Sequence, residues 1–427
     1  MKIQINNIAV IPMTEVGRVI ENACIYIEDE RIVHVGEELN DFKPDKVIDG
    51  KNKLAIPGLI NAHTHLGMSM LRNYADDLDL MSWLQDEVWP FEAKLNAEDI
   101  YYASKLSMIE LIKSGCTTFV DMYFEMDRVA DAALEIGMRG VLTPGYIEDA
   151  NSEKRIESYR EIYKNYHNRD NLLKVMIAPH APYTVGADHL KKLVELAKEL
   201  ELGIHIHLSE TKTEVDNAYR DFGKSPISYV NELGLFEVPT IAAHCVHIDE
   251  EDMTILADKG VHVVHNPSSN LKLASGFAKV SEMKSHGVKV ALGTDGASSN
   301  NNLNMVEEMH LASILAKAVS GDPKSMTAYE TLEMTTKIGA QAIGMGEDLG
   351  SIEEGKLADI TLIDLSATHL TPANDLISMV VYTAQASDVC TVIVNGKVIM
   401  EDRKLDVDEE HIKTEVLNRL SRIVKEL

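Results

Sequence analysis

The stretch Ile56-Pro57-Gly58-Leu59-Ile60-Asn61-Ala62-His63-Thr64-His65 decides the fold prediction. An apolar, strand-like run ends here in two histidines that stand two residues apart. Because side chains two apart on a β-strand point to the same face, both imidazoles can face one interior. Two neutral imidazoles on one side are a natural start for a metal site. A histidine pair alone is a weak signal, but its position at the end of a strand strengthens it.

Outward from this stretch, apolar strand-like runs alternate with amphipathic segments such as Asp188–Leu200 and Met305–Ala318, which predict helices. Eight such runs occur, at Leu54–Asn61, Thr117–Asp121, Gly140–Thr143, Lys174–Ala178, Gly203–Leu208, Thr240–Ala243, Val261–His265 and Lys289–Gly293. Glycines suited to helix C-caps stand between a helix and the next strand, at Gly115, Gly137, Gly260 and Gly287. Eight strand-then-helix units predict an α/β fold, a closed (β/α)₈ barrel of the TIM type. A doubly wound open sheet, the alternative, usually carries a glycine-rich phosphate loop, which we do not find.

Both ends of the chain predict short strands instead. The N-terminal strands are expected at Ile3–Val10, Ala23–Glu28, Arg31–Val35 and Val47–Asp49, with Asp29-Glu30 at a hairpin tip. The C-terminal strands are expected at Asp359–Ile363, Cys390–Val394 and Lys397–Met400, with Asn395-Gly396 as a hairpin turn. We therefore expect a small β-sandwich built from both ends: residues 1–57, then the barrel at 58–348, then residues 349–427, which include a charged amphipathic helix at 408–427.

The composition argues against several classes of partner. The 427 residues include 68 acidic and 41 basic ones, for a formal charge of −27. Such a surface repels phosphate backbones and anionic lipid, which argues against nucleic acid and membranes as partners. The four cysteines, Cys24, Cys116, Cys245 and Cys390, form no Cys-x-x-Cys pair, so neither a thiolate zinc site nor a disulfide framework is expected. Residues 1–13 lack a secretory pattern and no long apolar run occurs, so we expect a cytoplasmic protein.

Three further strands end in residues suited to metal or acid–base chemistry. The fifth ends in His205-Ile206-His207 and is followed by Glu210, the sixth ends in His244, and the eighth ends in Thr294-Asp295. Catalytic groups of such barrels gather at the C-terminal ends of the strands. His205 and His207 share a face, so sequence alone does not choose between them. His207 lies nearer the C-terminal end, so we assign it as the metal ligand and His205 as a packing residue.

This combination resembles the amidohydrolase superfamily through Pro57–His65, His207, His244 and Thr294-Asp295. The resemblance spans nearly the whole chain, including its strand-rich ends. It implies a metal-dependent hydrolase. Its one divalent ion, Zn²⁺ first and Fe²⁺ as the alternative, would be held by His63, His65, His207 and Asp295. Two-metal members place a carboxylated lysine or an acid at the end of strand four, whereas here Lys174 begins that strand.

A narrower set of motifs resembles the deaminases of 5′-methylthioadenosine, S-adenosylhomocysteine and 5′-deoxyadenosine. These motifs are His207–Thr211, Ala178–Tyr183, His265–Leu273 and Gly293–Gly296. The resemblance implies attack of activated water on C6 of adenine, with release of ammonia. Asp295 would take the proton of the water and His244 would orient it. Glu210 would donate a proton to N1, a kind of transfer that typically contributes about 10²–10⁴-fold.

The same resemblance implies contacts to a purine nucleoside. Glu92 would bind the ribose hydroxyls, His180 would contact the nucleoside, and Trp83 would wall the 5′ side. Members that act on S-adenosylhomocysteine carry an arginine where this chain has Pro144. Arg155 matches a second arginine of that site. The loss of one guanidinium favours small 5′ groups, 5′-deoxyadenosine or 5′-methylthioadenosine first.

Two alternatives are weighed against this prediction. A deaminase or hydrolase of another cyclic amidine, such as guanine or a triazine, would share the metal site but would not need the ribose carboxylate Glu92. A scaffold protein that had lost catalysis would lack metal ligands, whereas all four are present. A homodimer or homotetramer is expected from the resemblance and from the frequency of symmetric oligomers among soluble enzymes.

Overall fold

Five short strands open the chain in the computed structural model, which describes residues 1–427. They are β1 Lys2–Val10, β2 Ile20–Glu28, β3 Arg31–Gly36, β4 Lys46–Asp49 and β5 Lys53–Pro57. β1 pairs with β2 and β2 with β3, both antiparallel. Asp29, with a left-handed φ of 53°, lies in the tight turn between β2 and β3. The predicted hairpin tip at Asp29-Glu30 is therefore confirmed.

The next strands build a parallel barrel. They are β6 Leu59–His65, β7 Cys116–Tyr123, β8 Arg139–Tyr146, β9 Leu173–Val175, β10 Ala178–Pro179, β11 Ile204–Leu208, β12 Thr240–His244, β13 His262–His265, β14 Lys289–Leu292 and β15 Asp295–Gly296. Parallel ladders join β6 to β7, β7 to β8, and β8 to both β9 and β10. A second set joins β11 to β12, β12 to β13 and β13 to β14. Ile177 bridges to β11, and β15 pairs with β6. The predicted eight-stranded barrel is confirmed, with its fourth and eighth strands each interrupted.

Helices alternate with the barrel strands and also occur in the C-terminal part of the chain. They are α1 Leu80–Ser82, α2 Trp89–Glu92, α3 Ala97–Lys113, α4 Met126–Ile136, α5 Ser152–Tyr166, α6 Ala187–Glu199, α7 Lys212–Phe222, α8 Pro226–Glu232, α9 Glu250–Asp258, α10 Pro267–Lys272, α11 Val280–Ser285, α12 Met305–Ser320, α13 Ala328–Thr335, α14 Lys337–Ala342, α15 Leu376–Tyr382 and α16 Glu409–Glu426. A π-helical turn spans Trp83–Val88, and short 3₁₀ turns lie at Leu66–Leu71, Arg169–Asn171, Leu235–Glu237, Thr368–Leu370 and Ala386–Asp388. The glycines expected at the helix ends all have a left-handed φ, namely Gly115, Gly137, Gly260 and Gly287. No helix is both long and apolar enough to cross a membrane.

The C-terminal strands complete the sheet that the N-terminus begins. They are β16 Ile360–Asp364, β17 Val389–Val394, β18 Lys397–Glu401 and β19 Lys404–Leu405. β16 pairs antiparallel with β5, so both chain ends join in one nine-stranded sheet of order β19-β18-β17-β16-β5-β1-β2-β3, with β4 on β1. This sheet packs around an isoleucine-rich core of its own. The expected module from both chain ends is confirmed, while the domain limits 1–57, 58–348 and 349–427 stay a prediction.

The first barrel strand differs from its prediction. Leu54–Asn61 is not one strand, because residues 53–57 form β5 of the terminal sheet and the barrel begins at Leu59. Gly58 makes this step possible: a Cβ there would lie 2.2 Å from the Thr117 side chain. Its N–H donates to the Asp359 carbonyl at 2.9 Å, which ties the step to the C-terminal module. In the sequence, an apolar run that is divided between two sheets has the same pattern as one continuous strand.

Candidate metal centre and active site

Histidines and one aspartate converge at the C-terminal mouth of the barrel. His63 and His65 end β6, His207 lies on β11, His244 ends β12, and Asp295 begins β15; all five are buried. Asp295 Oδ1 lies 3.4 Å from His63 Nε2 and 3.1 Å from His65 Nε2. Two groups of possible ligand atoms, His63 with His65 and Asp295, and His63 with His207 and His244, each lie within 4.8 Å of one another. These side chains can therefore surround one ion.

The backbone is strained where it presents these groups. His244 has a φ of 73° and Asp295 a φ of 61°, both in the left-handed region that residues other than glycine rarely adopt. Such conformations cost of order 1–3 kcal/mol each and cluster at functional sites. The strain turns the chain at the ends of β12 and β14 so that these two side chains face the centre of the mouth.

The three imidazoles of the proposed ligand set are each held through Nδ1, so Nε2 is not needed to anchor the ring. The Nδ1–H of His65 donates to the Met122 carbonyl at 2.5 Å, and that of His207 donates to the His180 carbonyl at 2.8 Å. His63 Nδ1 lies 2.9 Å from Nε2 of His205. His63 Nε2 is buried without any hydrogen-bond partner. Because a buried polar atom without a partner is costly, this nitrogen fits a metal-ligand role, as do the N/O donors around it.

The two oxygens of Asp295 have different partners. Oδ2 accepts hydrogen bonds from Ser269 Oγ at 2.6 Å and Ser299 Oγ at 3.1 Å. Oδ1 faces His63 and His65. Burial acts to raise the pKa of Asp295, but the two adjacent imidazoles hold it well below its usual range. The residue is therefore a carboxylate with one oxygen fixed by hydroxyls and the other turned to the histidines.

Glu210 lies on the loop after β11, close to His244. Its Oε1 accepts a hydrogen bond from Ser275 Oγ at 3.1 Å, and its Oε2 lies 3.8 Å from His244 Nε2. His244 in turn donates from Nδ1 to Asn270 Oδ1 at 2.8 Å, which leaves Nε2 directed at the mouth. Burial raises the pKa of Glu210 above its usual range. A carboxyl that stays protonated nearer to neutral pH can donate a proton.

The loop that carries Glu210 is fixed by a half-buried acid, Glu214. The carboxylate of Glu214, on α7, accepts the backbone N–H of Ser209 at 2.9 Å and that of Glu210 at 2.8 Å, one on each oxygen. Ser209 has a left-handed φ of 52°. Burial raises the pKa of Glu214 to about 7. This contact holds the Glu210 backbone in place.

A cleft of about 710 Å³, mouth included, opens over the histidines. Met68, Leu80 and Leu273 are among its apolar walls. Eight residues that the sequence singled out line it: His65, Trp83, Glu92, His180, His207, Glu210, His244 and Asp295.

Glu92, His180 and Trp83 also line the cleft, and the His180 ring lies beside that of His207, with 4.8 Å between the ring centroids. Glu92 Oε1 accepts a hydrogen bond from Tyr123 Oη at 2.6 Å, and burial raises its pKa to about 7. His180 donates from Nδ1 to Thr184 Oγ1 at 3.0 Å, and burial lowers its pKa to about 3, so the ring is neutral. Trp83 begins the π-helical turn, a rare geometry that is frequent at functional sites.

Arg155 is the one predicted substrate residue outside the lining of this cleft. Its guanidinium donates to the Ile147 carbonyl at 2.9 Å and to Asp149 Oδ2 at 2.7 Å. It lines a neighbouring cavity together with Pro144, and that cavity shares Glu92 with the main cleft. The two arginine positions expected from the resemblance are thus a proline and an arginine that is already paired.

The family model for the amidohydrolase family matches residues 54–399, most of the chain. The chain belongs to the amidohydrolase family. The protein named 5-methylthioadenosine/S-adenosylhomocysteine deaminase of Thermoanaerobacter pseudethanolicus is 52% identical over 430 residues, which cover 100% of each chain. A solved adenosine deaminase of Xanthomonas campestris with bound zinc has a TM-score of 0.95 and 34% identity, covering 99% of this chain and 98% of that one. An atrazine chlorohydrolase of Arthrobacter aurescens has a TM-score of 0.92 at 24% identity, covering 98% of this chain and 100% of that one, and shows the fold alone.

Membership of this family, with the His/Asp cluster, indicates a divalent metal. The sequence did not indicate several residues that hold the site together. Two of them, Ser269 and Asn270, lie within the His265–Leu273 motif, which was noticed only as a family likeness. The rest are isolated in the sequence and carry no motif: Tyr123, Thr143, Glu214, Ser275 and Ser299. Only their contacts identify them.

Proposed function

We propose that the protein is a hydrolytic deaminase of 5′-modified adenosines. Water adds to C6 of adenine, the amino group leaves as ammonia, and the inosine analogue is formed. One observation carries the proposal: a single cleft is lined by a protonatable Glu210 beside the His/Asp cluster and by a second, half-buried acid, Glu92, which Tyr123 holds. Deamination of a purine base needs a proton donor such as Glu210, and binding of a ribose diol needs an acceptor such as Glu92. The full-length relative at 52% identity, named for such substrates, supports the same assignment.

The proposed metal ligands are His63, His65, His207 and Asp295, with Zn²⁺ first and Fe²⁺ as the alternative. The partnerless Nε2 of His63 and the anionic Asp295 support this set. A bound divalent ion would supply Lewis-acid activation of the attacking water. The zinc of the Xanthomonas adenosine deaminase supports the choice of ion.

The proton transfers belong to the protein. Asp295, ionised and anchored through Oδ2, takes a proton from the attacking water. His244, oriented by Asn270, hydrogen-bonds that water through Nε2. Glu210, with its raised pKa, gives a proton to N1 as the ring loses aromaticity. The proton on Asp295 then passes to the leaving amino group, which departs as ammonia. Glu210 takes the proton of the C6 hydroxyl as the C6 carbonyl of the inosine analogue forms, so both acids return to their starting protonation states.

Glu92 is proposed to accept hydrogen bonds from the two ribose hydroxyls, for which a carboxylate with two oxygens is well suited. His180 contacts the nucleoside through Nε2, and Trp83 walls the 5′ side. We propose that small 5′ groups are preferred over homocysteine, because Pro144 offers no cation and Arg155 is paired with Asp149. A guanine or triazine substrate is less favoured, since a free base has no ribose hydroxyls to donate to Glu92.

A deamination panel on metal-analysed enzyme tests the proposal. It contains adenosine, 5′-deoxyadenosine, 5′-methylthioadenosine, S-adenosylhomocysteine, guanine and a triazine, followed by absorbance. We expect turnover of the 5′-modified adenosines with one metal per chain, and weak turnover of S-adenosylhomocysteine. Activity on free bases only would refute the nucleoside assignment. Light scattering on the same sample tests the proposed homodimer or homotetramer.

Glu210→Gln tests the proton donor. We expect kcat to fall by about 10²–10⁴-fold, the typical contribution of a positioned acid. Zinc content and KM should change little, because Glu210 is not a proposed ligand. The matched control is Glu347→Gln, which neutralises an exposed glutamate far from the cleft lining. An active Glu210→Gln enzyme would contradict the assigned role.

A further inference from the structure

His205 does more than fill space. It is fully buried on β11, and its Nε2 lies 2.9 Å from Nδ1 of His63, a proposed metal ligand. Its other nitrogen, Nδ1, lies 3.2 Å from Thr143 Oγ1 on β8. Thr143 Oγ1 lies 2.6 Å from the backbone carbonyl of Asp121 on β7. Four strands of the barrel are thus linked by three hydrogen bonds in series.

The direction of every hydrogen in this series follows from its last member. A carbonyl oxygen only accepts, so at 2.6 Å the Thr143 hydroxyl must donate to Asp121. The oxygen of Thr143 then accepts from His205, which places the single N–H of the neutral His205 ring on Nδ1. Nε2 of His205 is therefore an acceptor. His63 must donate to it from Nδ1, and the lone pair of His63 is left on Nε2.

The other proposed ligands reach the same result by a shorter route. His65 and His207 donate from Nδ1 directly to the carbonyls of Met122 and His180. His63 lies one strand repeat deeper in the barrel than His65. There Nδ1 of His63 meets the His205 side chain instead of a carbonyl, and Thr143 completes the connection to the Asp121 carbonyl.

We propose that His205 and Thr143 are positioning residues that fix the Nε2-binding tautomer and the ring orientation of His63. This inference rests on the proposed function only because it takes the proposed metal to be what His63 binds. Outer hydrogen-bond partners of metal-bound histidines fix tautomer and ring orientation in this way, and their loss typically costs about 10–100-fold in metal affinity or activity. His205 and Thr143 touch neither ion nor substrate.

The test is zinc affinity, measured on the full chain by competition with a chromophoric chelator. His205→Leu removes the acceptor at similar volume, whereas His205→Gln keeps an acceptor oxygen. Thr143→Val removes only the hydroxyl, and Thr143→Ser restores it. We expect the Leu and Val variants to bind zinc about 10–100-fold more weakly. The Gln and Ser variants should stay close to wild type.

His262→Asn is the matched control, because His262 is a largely covered histidine at the start of β13, away from the cleft lining. Circular dichroism and thermal unfolding check that each variant is folded. If His205→Leu fails to fold, the zinc affinities of Thr143→Val and Thr143→Ser test the inference instead. Wild-type zinc affinity in folded His205→Leu or Thr143→Val protein would overturn the inference. If the Leu and Val variants bind zinc more weakly but the wild-type enzyme is inactive on every adenosine, only the proposed function is overturned. If the wild-type enzyme is active on adenosines but the Leu and Val variants bind zinc with wild-type affinity, only the inference is overturned.

Discussion

The protonation of Glu92 predicts how nucleoside affinity depends on pH. Burial raises the pKa of this carboxyl to about 7, against a hydrogen bond from Tyr123 that acts to lower it. Only the ionised form offers two acceptors to the ribose diol. A group with a pKa near 7 is about nine-tenths ionised at pH 8 and about one-tenth ionised at pH 6. Affinity should therefore be present at high pH and be lost as pH falls through 7, by up to about 10-fold.

The assay is the inhibition constant of the product 5′-deoxyinosine, measured between pH 6 and 8. A product avoids the opposite pH dependence of turnover, which requires Glu210 to be protonated. Hypoxanthine, which lacks the ribose, serves as the ligand control and should show a flatter profile. Glu92→Gln serves as the protein control, since its amide does not titrate and should bind the product weakly at every pH.

A product affinity that does not change between pH 6 and 8 would refute the reasoning, as would an affinity that increases towards pH 6. So would a Glu92→Gln variant with the wild-type profile, because the titrating group would then lie elsewhere. An equal loss of affinity for hypoxanthine would show that the pH dependence belongs to the base end of the cleft.

Two further predictions concern the support of the site and of the fold. Glu214→Gln should lower kcat by about 10-fold or more with little change in KM. The variant loses one of two charge-assisted hydrogen bonds to backbone N–H groups, and each is worth roughly 1.5–3 kcal/mol. Unchanged kcat in steady-state kinetics would show that the loop needs no such anchor. Gly396→Ala should unfold at a lower temperature than Gly260→Ala. Both glycines have a left-handed φ. A Cβ at Gly396 would lie 1.8 Å from the Asp29 carbonyl oxygen, whereas a Cβ at Gly260 would have no atom within 4 Å. Equal melting temperatures would contradict that reading.

Much of the fold could be predicted because its rules are local. Strand-helix alternation and turn residues identified the barrel and both hairpins. The error at Leu54–Asn61 has a physical cause: β5 and β6 form one apolar run, and the step between sheets depends on the space that Thr117 leaves for Gly58. That space is a property of a neighbouring strand. The same holds for Arg155, whose partner Asp149 lies six residues away on a loop that periodicity does not describe.

The histidine pairs on β6 and β11 show where sequence reasoning about the site reaches its limit. Both are His-x-His, yet both histidines of β6 face the proposed metal while His205 of β11 faces His63. The difference lies in the neighbouring strand. Asp295 of β15 is in register with Thr64, the residue between His63 and His65. Its Oδ1 therefore lies 3.4 Å from His63 Nε2 and 3.1 Å from His65 Nε2. His205 has no such carboxylate opposite it, and its partner is Thr143. A strand period places two imidazoles on one face, but the groups that surround each ring, which lie on other strands, determine whether it can serve as a ligand or orients one.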